Sequence, residues 1–389
     1  MNDREYMLRA IELAKLGEGW VNPNPLVGAV IVKDGRIIGE GYHRKYGELH
    51  AEREALAALT EPAEGATIYV TLEPCCHYGK QPPCTLAIIE HGISRVVIGS
   101  RDPNPKVAGK GVEMLLENGI TVEEDFMREE CDALNPAFFH YITKGIPYVK
   151  MKYAMTADGK IATKTGASKW ISGEASRERV HKWRHDCMGI MVGIGTVLAD
   201  DPLLNCRMEG GRQPVRIICD TDLRIPEDSQ ICRTAEEYET IVACGLERTR
   251  AGGNPASAEE DPWAKMERLR AAGITVWNLR DESGPEGKVS LRKLMQMLGS
   301  RKIDSVLLEG GGTLNESMLR EGFVQEVNVF IAPKIFGGKA KTPVEGIGVE
   351  FPSEALQMKL VSTEVVGEDL LVTYTAENRS GEEICSQES

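Results

Sequence analysis

Apolar residues recur at helical spacing from Tyr6 to Leu16, which predicts an opening helix. The period then changes. Val27 to Ile38 reads as two apolar runs split by Asp34-Gly35, and Asp-Gly between apolar runs predicts a two-residue hairpin turn. Ala51 to Leu59 is rich in Ala, Leu and Glu and predicts a helix. Further along, the pattern predicts strands at Ala66–Leu72, Arg95–Ile98 and Ile120–Val122. Helices are expected at Thr85–Glu90, Gly111–Glu117 and Phe126–Ile142.

A boundary is expected at Thr143-Lys144-Gly145-Ile146-Pro147, where glycine can end a helix and proline can start an extended segment. A second alternating pattern follows. Strands are expected at Tyr148–Met155, Gly189–Val192, Val215–Cys219, Ile241–Ala243, Ile274–Trp277, Val306–Leu308, Val327–Ile331 and Leu370–Tyr374. Helices are expected at Glu174–Trp183, Trp263–Ala272, Leu291–Leu298 and Leu314–Glu321. Thr249 to Asp261 is rich in Gly, Pro, Ala and Glu and reads as a mobile loop; the polar tail from Glu377 reads as disordered. Strands alternating with helices give an α/β class in two domains, 1–145 and 146–376, with a tail at 377–389.

Length and composition fit this division. At ~150 residues per domain, 389 residues hold two or three domains. Apolar residues are 42% and charged residues 27%, an ordinary globular mixture. No apolar run is long enough to cross a membrane, and the opening Met-Asn-Asp-Arg-Glu-Tyr does not resemble a secretory signal, so a cytoplasmic enzyme is expected. The net charge of −13 is spread over both halves. It argues against nucleic acid or anionic membrane as a partner and leaves room for a small anionic ligand held by a few local cations.

Three of the ten cysteines, Cys75, Cys76 and Cys84, fall within ten residues, which suggests a metal or catalytic site. His50-Ala51-Glu52 stands at the mouth of a helix, and Pro74-Cys75-Cys76-His77 and Pro82-Pro83-Cys84 lie downstream. One imidazole and two thiolates make three zinc ligands and leave a fourth position for water, the arrangement of a catalytic site. Adjacent Cys75 and Cys76 can hardly share one ion. Cys84, at a helix start that favours thiolate, is the better partner for Cys75, with His77 as a competing ligand. Glu52 is then free to carry protons. Asn22 has the chemistry to read base edges, and His77 and Lys80 to hold a phosphate. In the second half, the strand ending at Leu308 runs into Glu309-Gly310-Gly311-Gly312 and a helix, a geometry that presents backbone amides to phosphate. Val192-Gly193-Ile194-Gly195-Thr196 is a second glycine-rich strand end, and two such sites on one sheet suit a dinucleotide.

His-Ala-Glu with Pro-Cys…Pro-Cys resembles the zinc nucleoside and nucleobase deaminases. The long gap from Cys75 to Cys84 is similar to that of the bifunctional deaminase–reductase family of bacterial riboflavin biosynthesis. So are Asn22-Pro23-Asn24-Pro25-Leu26-Val27-Gly28 and Asp102-Pro103-Asn104-Pro105-Lys106-Val107-Ala108-Gly109-Lys110-Gly111. The second-half motifs resemble the same family's reductase, a relative of dihydrofolate reductase. The resemblance implies a cytidine-deaminase-like α/β/α sandwich followed by a dihydrofolate-reductase-like α/β domain, with Zn2+ and NADPH as cofactors. It places the pyrimidine and ribose phosphate along loops that include Asp102 and Asn104. Implied cofactor contacts are Ala154, Trp170, Thr196, Asp200, Thr221 and the loop Gly311, Gly312, Thr313, Leu314, Asn315, Glu316 and Ser317. Implied contacts to the substrate's ribose phosphate are Ser168, Arg184, Leu204, Arg207 and Glu309; the two guanidiniums suit a phosphate. Lys152 and Asp200 are expected as the ionisable pair beside the hydride.

The implied chemistry is zinc-dependent hydrolytic deamination of 2,5-diamino-6-ribosylamino-4(3H)-pyrimidinone 5′-phosphate, with Glu52 as proton carrier. NADPH-dependent reduction of the ribosyl group to ribityl follows. A homo-oligomer acting on small phosphorylated pyrimidines is expected. Two other readings compete: a nucleic-acid-editing zinc deaminase with an accessory nucleotide-binding domain, and a structural zinc module with a cofactor-sensing domain and no turnover.

Overall fold

The computed structural model describes residues 1–78, 82–104, 107–247, 261–281 and 288–376. Lys80, the expected loop from Thr249 (all but Asp261) and the tail from Glu377 lie outside them. The chain forms two compact units, Met1–Pro147 with Gly299–Asp304, and Tyr148–Leu298 with Ser305–Ser389.

The first unit runs α1 (Asp3–Lys15), β1 (Gly28–Lys33), β2 (Arg36–Tyr42), α2 (Ala51–Ala57), β3 (Thr67–Leu72), α3 (Cys84–Glu90), β4 (Arg95–Ser100), α4 (Lys110–Glu117), β5 (Thr121–Glu123), α5 (Arg128–Asp132) and α6 (Pro136–Lys144). Asn2 and Glu5 cap α1 reciprocally. Asp34 and Gly35 both take positive φ, 49° and 73°, as a tight hairpin turn requires. The sheet order is β2-β1-β3-β4-β5, with β1 antiparallel to both neighbours and the rest parallel. Alternation along β1 sends Ala29 and Ile31 into a core with Ala55, Ile88 and Leu115, and Val30 and Val32 into another with Met7, Ala10 and Cys131. Both faces are covered, and the unit is an α/β/α sandwich. The expected helix Phe126–Ile142 is two helices. Proline lacks an N–H and clashes with the preceding turn, so the chain breaks before Pro136 and restarts with it in the first turn of α6.

The second unit contains β6 (Tyr148–Thr156), α7 (Glu174–Asp186), β7 (Gly189–Gly193), α8 (Ile194–Asp200), β8 (Val215–Cys219), α9 (Gln230–Arg233), β9 (Thr240–Cys244), α10 (Pro262–Ala271), β10 (Thr275–Asn278), α11 (Leu291–Ser300), β11 (Ser305–Leu308), α12 (Gly312–Arg320), β12 (Glu326–Ala332), β13 (Met358–Val366) and β14 (Asp369–Ala376). Its sheet order is β10-β9-β8-β7-β11-β6-β12-β14-β13. The strands are parallel from β10 to β12, and β14 and β13 close the sheet as antiparallel strands. Sequence periodicity misses α8, α9 and β13. Both helices are short, and β13 is an edge strand exposed on both faces along most of its length, so it has no alternation to read. The parallel strands β7, β8 and β11 all end on one side of the sheet. That is where open α/β folds bind ligands.

Candidate active sites

In the first unit, His50 is the N-cap of α2 and Glu52 lies in its first turn, 3% exposed. The close approach of α2 to the sheet depends on Gly39 and Gly41. A Cβ on Gly41 would stand 2.3 Å from the Ala55 nitrogen. His50 Nδ1 lies 3.5 Å from Cys75 Sγ and 3.4 Å from Cys84 Sγ, and the Cys84 N–H donates to Cys75 Sγ at 3.4 Å. These three side chains bring their ligand atoms within 4.8 Å of one another. Tetrahedral zinc with Zn–S of ~2.3 Å and Zn–N of ~2.0 Å separates sulfur from nitrogen by ~3.5 Å. The donor set and its spacing therefore fit zinc. His77 and Cys76 are outside the cluster.

The electrostatics match. The hydrogen bond from Cys84, helped by His50, pulls the Cys75 thiol down to about 4 against the cost of burial. Cys84 is pushed the other way by Cys75 and by burial. A divalent cation favours thiolate at both positions. Burial, reinforced by Cys75, pushes the Glu52 carboxyl up to about 7.

The surrounding loops are tied to this centre by residues that sequence reasoning missed. Glu73, just before Pro74-Cys75, accepts from the Gly109 and Gly111 N–H groups at 3.1 and 3.2 Å and so anchors the Asp102–Gly111 loop. Asp102 accepts from the Asn104 N–H at 2.8 Å, and burial, with Glu73 and Cys75, pushes its carboxyl up to about 6. Arg53 donates to the Pro82 and Pro83 carbonyls and fixes the segment entering Cys84. His43 packs edge-on against His50, with centroids 5.5 Å apart, and meets Asn24 Nδ2 at 3.2 Å. Asn135 brackets Leu26 through both its backbone groups. His77 keeps a buried Nδ1 that has no hydrogen-bond partner.

In the second unit, Glu309 follows β11 and is the centre of a buried charge cluster. Arg184 forks onto it (Nε–Oε1 2.7 Å, Nη2–Oε2 3.1 Å) and Lys152 Nζ lies 3.7 Å away. Burial alone would raise the Glu309 pKa, but Arg184 and Lys152 outweigh it and hold the carboxyl at about 2. Burial lowers the Lys152 pKa, and Arg184 adds to this. Among the described residues no ion pair joins Lys152 to Asp200; Asp200 instead accepts from the Ser168 hydroxyl at 3.1 Å. Arg184 is not a free clamp for phosphate either. Its third nitrogen donates to the Asn205 carbonyl, so it braces the 204–207 segment. Leu204 is 4% exposed and packs in the core, which leaves only its backbone for a ligand. Arg207 is exposed.

The glycine cradle is present. α12 starts at Gly312 behind Gly311, and α8 starts behind Gly193, both without a side-chain cap. A Cβ on Gly311 would lie 3.9 Å from Thr196 Oγ1, and one on Gly193 would lie 3.7 Å from Leu314 Cβ, so the two helix starts are neighbours. Uncapped amides at the ends of adjacent parallel strands fit a dinucleotide's phosphates. Thr196 is in the first turn of α8 and Thr221 lies just past β8. Trp170 is 62% exposed under the Arg177 guanidinium, at 4.7 Å, and is not a core aromatic. Other implied contacts are already used inside the fold. Asn315 is fully buried and donates to the Pro343 carbonyl, Glu316 pairs with Arg320, and the Ser317 hydroxyl donates to the Thr313 carbonyl. The Ala154 side chain packs in the cluster of Trp183, Leu307 and Phe330.

Comparison with known proteins matches the two units separately and then the chain as a whole. The cytidine and deoxycytidylate deaminase zinc-binding region matches residues 1–100, and the RibD C-terminal domain matches residues 147–372. Riboflavin biosynthesis protein RibD of Actinobacillus pleuropneumoniae is 53% identical over 96% of this chain and 95% of its own length. The chain belongs to the RibD family. The Aquifex aeolicus RibD is 42% identical over 96% of this chain and 98% of its own. The solved RibD of Acinetobacter baumannii superposes with a TM-score of 0.83 at 36% identity, covering 96% of this chain and 99% of the other. A Thermotoga maritima structure, described as a diaminohydroxyphosphoribosylaminopyrimidine deaminase/5-amino-6-(5-phosphoribosylamino)uracil reductase, gives 0.81 at 40% identity, covering 96% and 98%. Membership makes this chain a bifunctional RibD enzyme of riboflavin biosynthesis, with a zinc deaminase domain and an NADPH-dependent reductase domain. The match through both halves sets aside the editing-enzyme and non-catalytic readings. Among the described residues no helix is long and apolar enough to cross a membrane.

Proposed function

We propose that the first unit deaminates 2,5-diamino-6-ribosylamino-4(3H)-pyrimidinone 5′-phosphate and that the second reduces the product's ribosyl group to ribityl. The observation that carries this reading is the convergence of His50, Cys75 and Cys84 beside a buried Glu52. His50, Cys75 and Cys84 would hold zinc, which would supply Lewis-acid activation of water for attack on the ring carbon that bears the 2-amino group. Glu52 takes the water's proton on its carboxylate and hands it to ring nitrogen, then passes a proton to the departing ammonia. Asn22, Asp102 and Asn104 contact the pyrimidine and sugar, with His77 and Lys80 toward the phosphate.

In the reductase, NADPH when bound would supply the hydride for C1′ of the opened sugar. The uncapped amides at Gly311–Thr313 and Thr196 would hold its phosphates, with Trp170, Asp200 and Thr221 as further contacts. Lys152, with a pKa lowered by burial, gives a proton to the opening sugar. Arg184 and Glu309 hold it in place, and Ser168 and Arg207 meet the substrate phosphate.

The enzyme works in the cytoplasm as a homo-oligomer. No disulfide joins any cysteine of the described residues, which suits a reducing compartment. The edge strand β13 exposes Leu360, Val361 and Val365, the kind of edge that association covers. The test is direct: the purified chain should release ammonia from the diaminopyrimidine phosphate and oxidise NADPH when given the deaminated product. Failure of either reaction, with zinc bound and the chain folded, overturns the corresponding assignment.

A further inference from the structure

Asn22 lies in the loop between α1 and β1. Two residues on, Asn24 meets His43, and His43 packs on His50. The Asn22 amide nitrogen donates to Asp304 Oδ2 at 2.8 Å. A carboxylate only accepts, so this bond settles which way the amide faces. Its Oδ1 is thereby turned from Asp304; it is buried and has no hydrogen-bond partner. A buried acceptor without a partner is uncommon in a folded protein and calls for a specific donor.

Asp304 comes from far along the sequence, yet Gly299–Asp304 is part of the first unit. The segment is firmly seated. A Cβ on Gly299 would stand 1.9 Å from the Gly145 carbonyl oxygen, the Tyr141 hydroxyl donates to the Gly299 carbonyl at 3.1 Å, and Asp304 is 1% exposed. The carboxylate is thus held against Asn22 by packing, not by a flexible arm.

We infer that Asp304 is a positioning residue of the deaminase: it holds the Asn22 amide so that an acceptor faces the pyrimidine, selecting a base that presents an N–H donor there. The inference rests on the proposed contact between Asn22 and the pyrimidine. The proposed substrate carries two amino groups and a ring N–H, any of which could complete Oδ1. A base offering a carbonyl or bare ring nitrogen at that point would meet acceptor with acceptor.

The experiment is a double-mutant cycle on the full chain with Asn22→Ala and Asp304→Ala, read as kcat and KM for ammonia release. Zinc content, thermal melting and reduction of supplied deaminated product serve as controls for folding. Asp304→Ala is expected to raise KM on the order of tenfold, the loss of one well-placed hydrogen bond, with a much smaller change in kcat. In the Asn22→Ala background it should add almost nothing. Asp304→Asn, whose amide oxygen can still accept from Asn22, should restore most of the loss. If Asp304→Ala fails to fold, Asp304→Ser takes its place in the cycle. An equal KM effect in both backgrounds, or none in the wild type, overturns the inference. If Asn22→Ala itself leaves KM unchanged, the contact of Asn22 with the pyrimidine is what fails. If it raises KM while the Asp304 variants do not, only the role of Asp304 falls.

Discussion

Glu52 is 3% exposed two residues from His50, and burial raises its carboxyl toward neutrality. Replacement by Gln keeps the shape and removes the proton carrier. Deamination is expected to fall by about 10²–10⁴-fold, with zinc content and NADPH-dependent reduction of supplied product intact; metal analysis and the two rate assays check this. Glu309 makes the matching prediction in the reductase. Its pKa of about 2 lies below the ordinary 4.5, so its charged form stabilises the folded chain. That contribution is complete above the ordinary value and is lost as pH falls toward the folded value. Glu309→Gln leaves Arg184 and Lys152 facing no counter-charge and should cost about 3–5 kcal/mol at neutral pH. Followed by denaturant unfolding, the gap from wild type should close between about pH 4.5 and pH 2. At this scale the His50, Cys75 and Cys84 cluster was legible because each rare residue type sits in a short motif. Glu73, Arg53 and Asp304 were not, because their partners are backbone groups or side chains remote in sequence. Arg184 and Leu204 were identified in sequence, but the contact of one with Glu309 and of the other with the core was not.

Helix α2 is the element on which the deaminase turns, since it begins at His50 and carries Glu52. It lies so close to β2 that Gly41 has no room for a side chain: a Cβ would stand 2.3 Å from the Ala55 nitrogen and 2.6 Å from the Ala51 oxygen. Gly41→Ala must displace the helix backbone. We expect it to cost about 1–3 kcal/mol and to lower zinc occupancy and ammonia release far more than reduction of supplied product. Thermal melting alongside metal content separates the two effects. Most elements were legible where apolar residues alternate or recur at helical spacing, as in β1 and α1. The exposed edge β13 escaped because only Val366 in it is buried, and the break at Pro136 escaped because the apolar pattern continues across it. Buried Arg216 reads as a surface charge in sequence. In the fold its guanidinium is satisfied by Thr234, Thr240 and the carbonyls of Leu203, Ile231 and Tyr238.

For the whole molecule, two α/β units carry two different chemistries on one chain, whose overall charge is −13. The central claim is that zinc-dependent deamination precedes reduction and that the two are separable. The most direct measurement follows ammonia and NADPH in one reaction of the wild-type chain with the diaminopyrimidine phosphate, before and after zinc is removed by a chelator. Ammonia should appear first and then match NADPH oxidised one for one. Chelation should stop both, and adding the deaminated product should restore NADPH oxidation alone. Oxidation of NADPH by the chelated enzyme on the undeaminated substrate, or no recovery when the product is supplied, would contradict it.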